Sequence, residues 1–116
     1  MSVPAGITVD VRAVDAGVVE LVVAGEVDLA SAPVLNAAIK RAADEPGVAV
    51  LRVALAEVTF LDSVGLSVLV AGRNLAEERG LTFAVRHPSR QAHKVLGLTG
   101  LLEVLGVDPD EKPAGL

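Results

Sequence analysis

Apolar residues recur at every second position in some stretches of this chain and at helical spacing in others, and the two periods alternate along it. No other feature limits the fold as strongly, because a pattern of period two cannot bury its apolar face as a helix, nor the reverse. Ile7, Val9 and Val11 alternate with Thr8, Asp10 and Arg12, which reads as a half-buried strand. Asp15-Ala16-Gly17 supplies turn chemistry before a denser apolar run from Val18 to Ala24, and the pair reads as a hairpin. Ser31-Ala32-Pro33 offers a hydroxyl N-cap with proline in the first turn. Val34, Leu35, Ala38, Ile39 and Ala42 continue at helical spacing until Pro46-Gly47, and Val48 to Leu55 is a third strand. Asp62 or Ser63 caps a second helix with Leu66, Leu69 and Val70 on its apolar face, stopped at Gly80. Leu81 to Arg86 alternates again, and Ser89 opens a third helix through about Leu98, stopped near Gly100.

The order β-β-α-β-α-β-α contains two strand–helix–strand units, which produce neighbouring parallel strands with helices packed on the sheet. The expected fold is therefore α/β, with a mixed sheet of four to five strands in a single domain over residues 1–105. From Gly106 the chain loses periodicity, and Asp108-Pro109-Asp110-Glu111-Lys112-Pro113 mixes charge with proline. Residues 106–116 are expected to form a short, loosely ordered tail.

Composition then excludes several classes of function. Hydrophobic residues make up 52% of the 116 positions but aromatics only 2%, so the interior must be packed from branched aliphatics and alanine. The absence of cysteine removes disulfides, thiolate nucleophiles and Cys-ligated metal centres. His87 and His93 stand six apart, not at the i, i+4 spacing that grips zinc from one helix face, so neither a metal site nor a cofactor is expected. A formal net charge of −5 argues against nucleic acid as a partner. The N-terminus lacks the pattern of a signal peptide, and no apolar run approaches the roughly 20 residues of a membrane span. A cytoplasmic protein is the expectation.

In open sheets of this kind, binding groups gather where parallel strands end and the chain turns into helices. Three segments fall there: Gly25-Glu26-Val27-Asp28, Thr59-Phe60-Leu61-Asp62-Ser63 and His87-Pro88-Ser89. Asp28, Asp62, Ser63 and His87 should share one end of the molecule, as helix caps, as a binding edge or as both. Enzyme motifs are missing from that edge. There is no phosphate-cradling loop with its lysine and no glycine fingerprint for dinucleotides, and Leu61 stands where a nucleophile elbow needs glycine. A Ser63–His87–Asp hydrolase is disfavoured, and paired carboxylates oppose a bound nucleotide. The chain reads as a non-enzyme.

The segments Gly25-Glu26-Val27-Asp28 and Val58-Thr59-Phe60-Leu61-Asp62-Ser63-Val64-Gly65-Leu66 resemble the pattern of STAS domains, specifically bacterial anti-sigma factor antagonists. Val95-Leu96-Gly97-Leu98-Thr99-Gly100-Leu101 is similar to the family's third-helix stretch, and the likeness runs from about Ile7 to Leu105. What the resemblance implies is a binding module. Its partner would be an anti-sigma factor, a serine/threonine kinase with a histidine-kinase-like ATPase fold, whose capture releases a sigma factor for transcription. The implied partner-binding residues are Asp28, Asp62, Ser63, Val64, Gly65 and Leu66. The resemblance also implies a phosphorylation site in the D-S-x-G loop, with Ser63 as the candidate. STAS domains also serve as subunits of lipid-transport ABC assemblies, where the partner would be a transporter ATPase, and as parts of other signalling complexes.

The sequence departs from the family pattern at two positions. Where many antagonists carry a second hydroxyl that receives phosphate, this chain has Val64, and Ala54 stands where the third strand often carries Asp. Either Ser63 accepts the phosphate or the antagonist works without that switch. The second is preferred, because a shift of one residue turns a side chain roughly 100° around a helix start.

Overall fold

A computed structural model describes residues 6–113. Four strands and three helices follow in the order β1 (Ile7–Asp15), β2 (Val18–Val27), α1 (Ala32–Ala43), β3 (Val50–Leu61), α2 (Ser63–Glu78), β4 (Thr82–Arg86) and α3 (Arg90–Leu98). The sheet runs β1-β2-β3-β4, with β1 antiparallel to β2 and the other two pairings parallel. This is the expected α/β architecture with a mixed sheet, and its strand count is four.

Both crossovers step the same way across the sheet, so right-handed connections put α1 and α2 on one face. The two helices do pack together. Gly72 permits the approach, since a Cβ there would lie 3.1 Å from Ile39 and 3.3 Å from Phe83. Under them lies an aliphatic core in which Leu21, Val23, Leu35, Leu51, Val53, Leu55 and Leu69 are fully buried. The opposite sheet face carries Thr8, Asp10 and Arg12 on β1 and, on its neighbours, Glu20, Arg52 and Arg86.

Two departures from the expected elements matter for the site. Thr59, Phe60 and Leu61, expected in a loop, belong to β3. That strand carries two irregularities, one between the partners of Val22 and Ala24 and one between those of Gly25 and Glu26. Each inserts one extra residue and reverses which face the chain presents next. Leu55, Val58 and Leu61, spaced by three, therefore all point inward.

The second departure is the segment after residue 105, which was expected to be loose. Leu105 O accepts the Val85 N–H at 2.9 Å on the outer edge of β4, and Val107 is buried in the core. Glu111 then returns to the β4–α3 loop, where its carboxylate lies 3.4 Å from Arg86 Nε and accepts the backbone N–H of His87. Apolar burial and one charge-assisted contact hold this segment on the domain as far as it is described. Residues 114–116 of the expected tail lie outside the described residues.

Candidate functional site

The ends of β2 and β3 bring the two acidic loops together. Val27 and Leu61 are partners in the parallel ladder, so Asp28 and Asp62 leave the sheet side by side. The Asp62 N–H donates to Val27 O at 3.2 Å and locks the two exits to each other.

Asp62 is the N-cap of α2. Its Oδ1 accepts the N–H groups of both Val64 and Gly65 at 3.0 Å, taking two of the donors a helix start leaves unmatched. Of the two residues expected to cap this helix, the aspartate does so, and Ser63 is left in the first turn with its side chain exposed. The helix dipole also favours a negative charge at this end.

Asp28 is held by Ser31, the residue read from the sequence as the N-cap of α1. Ser31 sits in helical conformation and makes no cap bond to α1. Its hydroxyl donates to Glu26 O at 2.6 Å and accepts the Asp28 N–H at 2.9 Å, while Asp28 Oδ1 accepts the Ser31 N–H at 3.1 Å. The exchange is reciprocal, and Ser31 is 0% exposed. It fixes the turn that carries Leu29, whose side chain is 74% exposed.

Gly65 and Leu66, two of the residues expected to contact a partner, are buried, and Leu66 is only 7% exposed. Gly65 faces inward: a Cβ there would lie 2.7 Å from Val27 O and from Leu61 Cδ1. These two residues set the seat of α2. Asp28, Asp62 and Val64 are half-buried and Ser63 is exposed, so these four do meet solvent.

Of the apolar part of this surface, sequence reasoning named Val64 and missed the rest. Leu29, Ala32, Pro33, Asn36, Val64 and Val68 line a shallow depression between the N-terminal turns of α1 and α2. The signal that could have found Leu29 is its place as an apolar residue directly after Asp28, just before a helix start. The third loop joins less directly. Ser89 accepts the Ala92 N–H as the N-cap of α3, and Gln91 Nε2 donates to Leu61 O at 3.3 Å. His87 takes a left-handed conformation (φ 49°) and turns to Glu111, so no Ser63–His87 pair forms.

Among the described residues no group of three or more metal-ligating side chains is assembled, and no helix is long and apolar enough to cross a membrane. What the geometry offers is a shallow apolar depression, or dish, whose lining residues Leu29 and Val64 adjoin, in the chain, a carboxylate fixed by hydrogen bonds and an exposed hydroxyl.

The chain is 30% identical over 89 residues to an anti-sigma-B factor antagonist of Bacillus subtilis, covering 77% of this chain and 80% of the relative. An antagonist of the same name from Listeria monocytogenes is 28% identical, with 87% and 88% covered. The crystal structure of an anti-sigma factor antagonist from Mycobacterium paratuberculosis superposes with a TM-score of 0.76 at 32% identity, covering 95% of this chain and 93% of that one. The family described as "Mlab, STAS domain" matches residues 7–106, and this chain belongs to the STAS-domain family.

Proposed function

We propose that this chain is an anti-sigma factor antagonist that docks through the dish between α1 and α2, sequestering an anti-sigma factor and so freeing a sigma factor. The observation that carries the reading is the convergence of exposed Leu29 and Ser63 and half-buried Val64 with the capped Asp62 on one edge. A second reason is the similarity to antagonists over most of the chain. The apolar floor supplies affinity and the rim carboxylates supply orientation and exclusion of wrong partners. The partner is an anti-sigma factor of the serine/threonine kinase type with a histidine-kinase-like ATPase fold, the encounter takes place in the cytoplasm, and no chemistry is performed on this chain's side.

The docking works without a phospho-switch. Val64 has no hydroxyl, and Ser63 is the exposed hydroxyl beside the cap. A phosphate on Ser63 would add about −1.5 to −2 charge next to a carboxylate that already holds the first free N–H groups of α2. The usual gain of an anion at a helix start is thereby taken up by Asp62.

The test is a pull-down from the native cell with and without ATP, followed by intact-mass measurement of the chain. Recovery of an anti-sigma kinase with unchanged mass is the expected result. An added phosphate lost in Ser63→Ala would overturn the switch-free reading, and recovery of a transporter ATPase in place of the kinase would overturn the antagonist reading.

A further inference from the structure

β1 is the edge strand of the sheet, and among the described residues no strand pairs with its outer side. Exposed edges of this length are ready templates for another strand, and natural proteins usually blunt them. Here the sequence pattern fits the edge to itself.

The direction of its free backbone groups follows from the pairing with β2. Gly6 lies opposite Glu26 and its carbonyl accepts the Glu26 N–H at 2.8 Å, which makes them a hydrogen-bonded pair. Bonded and non-bonded pairs alternate along an antiparallel ladder. Thr8, Asp10 and Arg12 therefore turn their backbone groups to β2, and Val9, Val11 and Ala13 turn theirs outward. An antiparallel copy of β1 centred on Val11 then meets outward groups with outward groups. Val11 pairs with Val11 of the second copy, and Val9 with Ala13, each as a hydrogen-bonded pair.

In that register the side chains match as well. Asp10 stands opposite Arg12 of the second copy, and Arg12 opposite Asp10, both as non-bonded pairs in which side chains approach most closely. On the helix face Val11, 56% exposed, meets its own copy. Val11 also lines a groove with Val9, Val34, Ala37, Ala38 and Arg41.

We infer that a second copy of this chain pairs with the β1 edge about a two-fold axis through Val11, joining two four-stranded sheets into one. The strands β2 and β3 run oppositely in the two halves, so the two acidic dishes face away from each other and both stay open.

Sedimentation equilibrium over a concentration series tests this. The wild-type chain is expected to move with concentration from 11.8 kDa toward twice that mass. Asp10→Arg and Arg12→Asp each set like charges opposite one another twice, and each should weaken association at least about tenfold. An equimolar mixture of the two variants restores Arg–Asp pairs and should associate as the wild type does. So should the double variant D10R/R12D. Val11→Asp places two carboxylates across the axis at an exposed position and should also hold the chain monomeric, with circular dichroism reporting an intact fold. A wild-type chain that stays monomeric to about 1 mM overturns the proposal, as does a dimer indifferent to these changes.

Discussion

Gly65→Ala is expected to destabilise the domain by about 2 kcal/mol and lower its Tm by about 10 °C, although alanine is the better helix former. The reason lies in what surrounds the position. The added Cβ would meet Val27 O and Leu61 Cδ1 at 2.7 Å and Val27 Cγ1 at 2.8 Å. Leu61 has some freedom, but Val27 O is backbone within the β2–β3 ladder and accepts the Asp62 N–H. Relief must come from α2, whose first turn would lift off the sheet and carry Asp62, Ser63 and Val64 with it. The same variant should therefore bind the anti-sigma partner less well even where it remains folded. Gly97→Ala is the contrast, since its nearest neighbour would be Leu102 Cδ1 at 3.7 Å. There the helix preference acts alone, and a gain of roughly 0.5–1 kcal/mol is expected. Thermal melts of the two variants should shift in opposite directions. A Gly65→Ala melt at or above wild type would mean that α2 is not seated by this contact.

These contrasts also separate what the sequence could reveal from what it could not. The alternation of periods located all seven elements, because each is long enough to show its own repeat and is bounded by glycine, proline or a cap. The end of β3 escaped this reasoning. Leu55, Val58 and Leu61 recur at every third residue, a spacing that matches neither a flat strand nor a helix, and only the two irregularities opposite β2 reconcile it with the sheet. Asp62 was legible as a cap because an acid directly before a helical pattern has few other local partners. Ser31 misled for the same reason. A serine before proline reads as an N-cap, yet the tight exit from β2 draws its hydroxyl back to Glu26 and Asp28. The burial of Gly65 and Leu66 and the docking of Glu111 on Arg86 depend on contacts between segments far apart in the chain. Local patterns carry no record of such contacts.

Leu29→Glu is expected to lower affinity for the anti-sigma partner at least about tenfold while leaving the melt unchanged. Leu29 is 74% exposed, so the fold loses little with it, but covering it in a complex would contribute on the order of 1–2 kcal/mol. The introduced carboxylate adds a third acid beside Asp28 and Asp62 and must also be desolvated on docking. Asp62 supplies a complementary comparison, because it both caps α2 and presents charge. Asp62→Asn keeps an oxygen able to accept the Val64 and Gly65 N–H groups, so its melt should stay close to wild type while affinity falls modestly. Asp62→Lys removes the cap and reverses the charge, and should lose more than tenfold in affinity together with about 1 kcal/mol of stability. Isothermal titration against the purified partner, paired with thermal melts, distinguishes the two contributions. If Leu29→Glu and Asp62→Lys both bound as wild type does, the partner would have to lie on another face of the sheet, and the acidic loops would be left as helix-capping devices alone.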